Sequence, residues 1–239
     1  MLQFINVHFK KQVVIEKQDA EFINCTFSAE GESMKDTRGT ALVVTGAANV
    51  KITNCVFKNK GYNSINLKTS GQAIIERNTF ISTNVYNPIE ATGIAGNGLN
   101  NIFIENNIFN STCGNNYISF FHMADNAIIE INFNLFSNVN YQSNILRLSN
   151  PENVSAIFKI NDNKYRYNSK DISDYTAFVI CQEYGNESQD FSKYILDITN
   201  LKCNNVIVKD VPVQGALYYS YKDNVGIVTG QNDPIINLV

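Results

Sequence analysis

One short pattern recurs along most of this chain. It is clearest in Val50–Phe57, which reads VKITNCVF, and its template is apolar, any, apolar, any, usually Asn, any, any, aromatic. Further copies read LQFINVHF, AEFINCTF, AIIERNTF, IFIENNIF, IEINFNLF and FKINDNKY, with a weaker LDITNLKC after them. Apolar residues at every second position have the period of a strand, not of a helix. A motif that returns at roughly 20–30 residues predicts a β-solenoid, whose stacked coils bury a shared core.

Two columns of the template carry structural expectations. Strands in neighbouring coils lie roughly 4.8 Å apart, so the closing aromatics should stack as an internal ladder. These aromatics are Phe9, Phe27, Phe57, Phe80, Phe109, Phe136 and Tyr165. Because Asn tolerates left-handed backbone angles and can bond to stacked copies of itself, its slot predicts a bend with an Asn ladder. That slot holds Asn6, Asn24, Asn54, Asn106 and Asn200.

The repeat resembles the PbH1 repeat of the right-handed parallel β-helices in the pectate-lyase-like superfamily. The resemblance covers Leu2 to Cys203 and implies an all-β fold. The expected form is a single-stranded right-handed parallel β-helix, a solenoid of about seven to nine coils. We predict one domain over residues 1–239, with regular coils over 1–205 and closing strands and a C-terminal cap or tail over 206–239. Lyases, hydrolases, epimerases, phage tailspikes and scaffolds share this fold, so it does not select a function.

Composition narrows the class of partner. The net charge of −3 gives a nucleic-acid partner no electrostatic support, and no apolar run is long enough for a membrane helix. Met1 lies inside a repeat, so we expect no signal peptide. Localisation stays open between cytoplasmic synthesis and a processed or excised segment of a secreted or virion protein. Cys25 and Cys55 share one slot and are predicted to be buried thiols, and no metal or cofactor is expected.

A second strand is predicted in each coil from residue 41 onward. Its members are Ala41–Thr45, Ser64–Lys68, Gly93–Asn97, Phe120–Ala124, Ile145–Ser149 and Ala177–Cys181. Its outward face would hold a polar, cationic patch of Asn66, Lys68, Asn97, His122 and Arg147. The superfamily's lyases need a base beside a uronate carboxylate and a cation that holds the carboxylate. The pattern suggests His122 as the base, Arg147 and Lys68 as the cations, and Asn66 and Asn97 as substrate-binding amides.

Four tyrosines form a further candidate binding surface. They are Tyr62, Tyr86, Tyr117 and Tyr141, and each has an Asn or Gln beside it. On four consecutive coils they would share one edge, where sugars could stack on the rings and bond to the amides. The alternative is that the rings fold onto the body and cover its edge.

Two weaker features complete the candidates. Glu76 and Glu105 hold one slot on adjacent coils, near the lower limit of the roughly 5–9.5 Å that glycoside hydrolysis uses. Lys51 and Lys159 on that face are more typical of a solvated surface. The polar insertion at residues 29–40 is either a mobile surface loop or a lip over a groove.

Two function hypotheses follow. The first is a carbohydrate-interacting β-helix that binds a polysaccharide along one sheet face and, if enzymatic, cleaves it as a lyase or glycoside hydrolase. The second is a non-catalytic structural solenoid, such as a phage tail or surface-scaffold segment, for which the resemblance to tailspikes implies a homotrimer. His122, Arg147 and the tyrosines favour the first hypothesis. The missing signal peptide and the open ends favour the second.

Overall fold

Three stacked parallel sheets make up the part of the chain that the structure describes, and they confirm the predicted all-β parallel β-helix. The structure is a computed structural model. It describes residues 1–33, 36–83, 85–93, 98–111, 115–139, 144–149, 151, 153–167, 177–181, 190–199, 202–203, 216–220, 225–226 and 234–238. We call the sheets A, B and C, and we number each coil by its strand in sheet A.

Successive strands of the chain enter sheets A, B and C in turn. Sheet A comprises Leu2–Ile5, Ala20–Ile23, Val50–Thr53, Ala73–Glu76, Ile102–Glu105, Ala127–Asn132, Ala156–Asn161, Tyr194–Thr199 and Ile235–Leu238. Sheet B comprises His8–Phe9, Thr26–Phe27, Val56–Phe57, Thr79–Phe80, Ile108–Phe109, Leu135–Val139, Lys164–Tyr167 and Lys202–Cys203. Sheet C comprises Val13–Glu16, Leu42–Gly46, Asn63–Thr69, Asn87–Ala91, Asn116–Phe120, Asn144–Leu148, Ala177–Cys181, Ala216–Ser220 and Val225–Gly226, and only its last pair is antiparallel. Sheets A and C thus continue past residue 205, and the domain division proposed there stays a prediction.

The bend between sheets A and B is a single residue in the left-handed backbone region. Its φ lies between 53° and 58° in each of Asn6, Asn24, Asn54, Arg77, Asn106, Phe133 and Asp162. This confirms the predicted role of the Asn slot as a bend. Asn adopts this conformation readily, whereas a bulky residue there is strained, so Phe133 stands out.

The closing aromatics form the predicted ladder along the inside of sheet B. The ring centroids of Phe27, Phe57, Phe80, Phe109 and Phe136 follow one another at 4.6, 4.8, 4.6 and 4.7 Å, with ring planes within 11° of parallel. All five side chains are fully buried. The stacking therefore places equivalent slots of successive coils above one another, which is the premise of every neighbour relation described below.

The hydrogen-bonded Asn ladder lies one residue later than we predicted. It consists of Asn78, Asn107, Asn134 and Asn163, each buried inside the helix. In each step an Asn side-chain oxygen accepts from the backbone N–H and the side-chain amide of the Asn below it, at 2.9–3.1 Å. The side-chain amides also donate to carbonyls of sheet A, as Asn107 does to Ile75 at 2.8 Å. The left-handed residue turns its own side chain outward, so the next residue is the one that enters the core.

Two cysteines continue this column toward the N-terminus. Cys25 and Cys55 are buried free thiols, as predicted. The backbone N–H of Cys25 donates to Cys55 Sγ at 3.3 Å, as the equivalent N–H groups donate to Asn oxygens in later coils. Burial raises the pKa of the Cys55 thiol to about 12, so it stays protonated at neutral pH.

The register of sheet C differs from the predicted second strands in two coils. In coil 5 the strand is Asn116–Phe120 in place of Phe120–Ala124; in coil 4 it is Asn87–Ala91, and the predicted Gly93–Asn97 lies, apart from Gly93, outside the described residues. A second buried Asn column, Asn63, Asn87, Asn116 and Asn144, opens the four central strands. The backbone N–H groups of Asn87 and Asn116 each donate to the side-chain oxygen of the preceding Asn at 3.1 Å. These bonds explain why the strands begin earlier than apolar alternation alone suggested.

The insertion at residues 29–40 is fastened to coil 3. It contains a short 3-10 helix, Thr37–Gly39, whose N-terminal Asp36 accepts from the backbone of Arg38. Its other contacts join it to the body: Gly31 N–H donates to Lys60 O at 2.9 Å, and Asn59 Nδ2 donates to Gly39 O at 2.9 Å. A Cβ on Gly39 would lie 2.3 Å from Lys60 O, so only glycine permits this approach. The described part of the insertion is therefore docked and not freely mobile.

Candidate functional site

On coils 3 to 6 the outward column of sheet C is polar but closed to solvent. Its members, Asn66, Glu90, Ser119 and Arg147, are in-register neighbours on coils 3 to 6. None of the four is more than 7% exposed. The structure therefore brings two predicted site residues, Asn66 and Arg147, into one column. It adds a buried carboxylate, Glu90, that is not among the predicted site residues.

Glu90 is the centre of a hydrogen-bond network within this column. Its two carboxylate oxygens accept from Asn66 Nδ2 at 3.2 Å and from Asn87 Nδ2 at 2.8 Å. Thr92 Oγ1 in turn donates to Asn66 Oδ1 at 3.0 Å. The buried carboxylate is thereby held in one orientation, as buried polar groups require.

Arg147 lies over an aromatic ring. Its Cζ is 5.1 Å from the centroid of Phe121, and its Nε donates to Ser149 Oγ at 3.0 Å. A guanidinium over a ring face is attracted by the ring quadrupole, and this interaction strengthens when water is excluded. At 1% exposure the side chain is enclosed by protein and forms part of the outer layer of sheet C.

Burial raises the pKa of Glu90 above its ordinary value. Hydrogen bonds from Asn87 and Asn63 and the positive charges of Lys68 and Arg147 oppose this shift without cancelling it. A carboxyl whose pKa is raised in the fold binds its proton more tightly there than in the unfolded chain. Its contribution to stability is thus fully present below the ordinary pKa. It is lost as the pH rises from that value to the raised one.

A Glu90→Gln variant tests the direction of this pH dependence. We expect the free energy of unfolding of the variant, relative to the wild type, to rise between pH 4 and pH 7, because the amide cannot ionise. The loss of one acceptor oxygen should lower the free energy of unfolding of the variant by the same amount at each pH. The test is therefore how the difference between variant and wild type changes with pH. Urea denaturation of both proteins at both pH values measures it. A difference that is constant with pH would contradict a raised Glu90 pKa.

His122 does not stand beside Arg147 in this column. The strand neighbour of Arg147 is Ser119, and His122 follows the end of its strand by two residues. Its backbone N–H donates to Thr92 O at 3.2 Å and its carbonyl accepts from Leu99 N at 2.9 Å. Our pairing was wrong because it placed the coil 5 strand four residues too late. The half-buried His122 and the exposed Lys68 flank the column, and their catalytic roles stay predictions.

The tyrosine edge is only partly formed as predicted. Tyr62 and Tyr86 are half-buried and stack at 5.5 Å with their planes 3° apart. Tyr117 does not join them, because it comes directly after Asn116 of the second Asn column. Tyr62 and Tyr86 come directly before the Asn of that column. Tyr117 is fully buried, donates its hydroxyl to Ser111 O at 3.0 Å and packs edge-on against Phe136. Tyr141 and Asn97 lie outside the described residues.

The carboxylates Glu76 and Glu105 are cross-strand neighbours on sheet A, as predicted. Glu76 accepts from Thr53 Oγ1 at 3.1 Å and pairs with Arg77 at 2.9 Å. Glu105 accepts from Asn132 Nδ2 at 2.9 Å. Their oxygens are thus engaged in a ladder of polar contacts along the sheet. Such contacts are typical of a solvated surface, which was the alternative to a catalytic pair of carboxylates.

Two sequence patterns mark the Asn residues of these networks. The interior ladder reads as Asn, any, aromatic in four successive copies of the repeat, at Asn78, Asn107, Asn134 and Asn163. The sheet C strands of coils 3 to 6 open as Asn, any, Ile or Leu, any, apolar. Either pattern would have placed the Asn residues. Neither would have shown that the outer face of sheet C is closed.

Neither protein families nor curated proteins identify the chain. No family model matches it, and a search of curated proteins found no match. Among the described residues no group of three or more His, Cys, Asp or Glu is placed to hold a metal ion. The described part also contains no helix that is both long and apolar enough to span a bilayer. The three parallel sheets show a parallel β-helix fold, and the likeness to the pectate-lyase-like superfamily is a resemblance of the repeat alone.

Proposed function

We propose that this chain is a rigid, non-catalytic β-helix scaffold. The observation that carries this proposal is the closed polar column of sheet C, in which Asn66, Glu90 and Arg147 are bonded within the protein and shielded from solvent. A polymer substrate needs a face that it can reach, and these residues stabilise an outer layer instead. Sheet A stacks nine strands at roughly 4.8 Å, which makes a rod about 40 Å long. Inside the rod, the aromatic ladder links coils 2 to 6 and the Asn ladder links coils 4 to 7.

Polymers of uronic acids test the absence of catalysis. We expect no new ultraviolet absorbance from unsaturated sugar ends when the wild-type protein is incubated with them. Activity that is lost in His122→Ala and Lys68→Ala, with circular dichroism unchanged, would contradict the scaffold proposal and restore the lyase hypothesis. These two side chains are the better probes, because truncating the buried Arg147 would also disturb the fold.

Non-covalent binding of a polysaccharide is the second candidate. It is favoured by the Tyr62–Tyr86 pair, beside which Glu30, Lys60 and Thr83 form an exposed column joined by parallel bridges. The two rings stack on each other, so a sugar would meet their edges more than their faces. Affinity electrophoresis in gels containing neutral and acidic polysaccharides tests this candidate. Retardation that a Tyr62→Ala/Tyr86→Ala variant loses and a Lys10→Ala variant keeps would support binding, and no retardation would exclude it for those polymers.

A further inference from the structure

The outer face of sheet B carries no acidic residue on any of its described strands. Its outward positions are the first residue of each strand and the residue after the closing aromatic, because side chains alternate across a strand. The second of these columns keeps its register from coil to coil, as the bond from Ile81 N–H to Phe57 O at 2.8 Å shows. From coil 1 onward the two columns are His8, Thr26, Val56, Thr79, Ile108, Leu135 and Lys164, and Lys10, Ser28, Lys58, Ile81, Asn110 and Ser137.

Exposed apolar side chains form a continuous patch in the middle of this face. Ile81 is 41% exposed and Ile108 is 44% exposed, and the two are diagonal neighbours on coils 4 and 5. Leu135 is half-buried beside Ile108 on coil 6. Phe133, two residues before Leu135, is 56% exposed and has φ 57° at the bend. A bulky residue is strained in this backbone region, and such strain is concentrated at binding sites.

Basic side chains lie on both sides of the apolar patch. Lys58 is in register with Ile81 from coil 3, and Lys164 is in register with Leu135 from coil 7. Both lysines are exposed, and neither forms an ion pair with another described residue. The carboxylates that come closest along the chain lie at the bend or directly before it, and they are Glu76, Glu105 and Asp162.

This acid-free face differs from the rest of the molecule. The net charge of the chain is −3, and the outward side of sheet A mixes both signs, with Lys51 beside Glu21 and Lys159 beside Glu130. The apolar and basic side chains of sheet B all project from one face of one sheet, so they can contact the same surface together. An anionic bilayer surface has the matching chemistry, because its headgroups attract lysines and the boundary below them takes up apolar side chains.

We propose that sheet B binds the surface of an anionic lipid membrane. Ile81, Ile108 and Phe133 enter the boundary between headgroups and acyl chains, while Lys58 and Lys164 contact the phosphate groups. An acidic polysaccharide would also attract the two lysines but would gain little from exposed aliphatic side chains, so the apolar patch favours the lipid surface. The inference goes beyond the scaffold role and does not rest on it.

Sedimentation with lipid vesicles tests the proposal. The full chain is mixed with vesicles of phosphatidylcholine alone and with vesicles of phosphatidylcholine and phosphatidylglycerol in equal amounts. We expect the protein to sediment with the anionic vesicles only, and to be released by high salt, which screens exposed charges. Lys58→Gln/Lys164→Gln is expected to lower the partition coefficient about 25-fold, because each cation near an anionic surface contributes about fivefold.

A second pair of lysines supplies the matched control. Lys51→Gln/Lys159→Gln changes the net charge by the same amount, but both residues lie on sheet A, so this variant should bind as the wild type does. Ile81→Ser/Ile108→Ser leaves the charge unchanged and is expected to lower the partition coefficient about tenfold, because less apolar surface is buried. Circular dichroism of each variant separates lost binding from lost folding, since all these positions point outward.

Several results would overturn the inference. These are no sedimentation with anionic vesicles, equal sedimentation with neutral ones, or an equal loss of binding in the sheet A control. If the lysine variant lost binding and Ile81→Ser/Ile108→Ser kept it, the face would bind polyanions such as acidic polysaccharides, and the membrane contact would be wrong. Each of these results would leave the scaffold proposal standing, whereas lyase activity would remove the scaffold and leave the membrane contact.

Discussion

Asn107→Leu is expected to lower the free energy of unfolding by about 3–6 kcal/mol. Leucine fits the volume but takes no part in the ladder. It leaves the backbone N–H and one side-chain N–H of Asn78 without their acceptor, and it removes a donor from the Ile75 carbonyl. Each buried polar group left unpaired costs about 1–3 kcal/mol. Urea denaturation followed by circular dichroism measures the change.

The adjacent residue supplies a matched control. Asn106 is exposed and has φ 56°, and glycine adopts this conformation without strain. Asn106→Gly is therefore expected to change the free energy of unfolding by less than about 0.5 kcal/mol. If the two variants lost similar stability, the hydrogen-bonded column would not lie at the residue after the bend.

Phe80→Ala is expected to cost about 3–5 kcal/mol, the usual range for removing a buried phenyl ring. Phe80 stacks between Phe57 at 4.8 Å and Phe109 at 4.6 Å, so the substitution removes both contacts and opens a cavity in mid-ladder. The backbone pairing of Phe57, Phe80 and Phe109 prevents the ladder from closing the gap. Thermal and urea denaturation check the loss.

Thr79→Ala is the control for this substitution, because Thr79 points to the opposite face of the same strand. We expect a change within about 0.5 kcal/mol. Because each coil contacts only its neighbours, the damage in Phe80→Ala should also reduce the cooperativity between the two halves of the solenoid. Hydrogen exchange should then show faster opening near coil 4 than near coil 6. Uniform exchange along the chain would argue against a ladder built of local steps.

The repeat predicted the parts of the fold that depend on one coil and its nearest neighbours. The aromatic ladder followed from Phe27, Phe57 and Phe80 occupying one slot, because stacking needs only equal spacing from strand to strand. The bend followed from Asn24 and Asn54, because left-handed backbone is a preference of the residue itself. The interior ladder at Asn107 was not predicted, because the repeat marks the residue that bends the chain, whereas the side chain that turns inward belongs to the residue after it.

The candidate site was harder to predict because the loops between sheets B and C differ in length. The alternation of inward and outward positions is compatible with a strand at either Asn87–Ala91 or Gly93–Asn97. Only the pairing of Asn87 with Asn63 on the coil below shows which of them enters sheet C. One such error had placed His122 beside Arg147, whereas the observed register pairs Arg147 with Ser119. Alternation correctly placed Arg147 on the outward side of its strand. It could not show that this side is buried, because that burial depends on segments packed against the sheet from other coils.

The sequence by itself determined that the chain winds into stacked parallel strands, which residues form the inner aromatic column and where the chain bends. Each of these follows from the chemistry of single residues repeated at a regular spacing. Only the tertiary structure decided the register of sheet C and the enclosure of Glu90 and Arg147. Those features depend on which distant segments come into contact, and contact between segments is a property of the assembled coils.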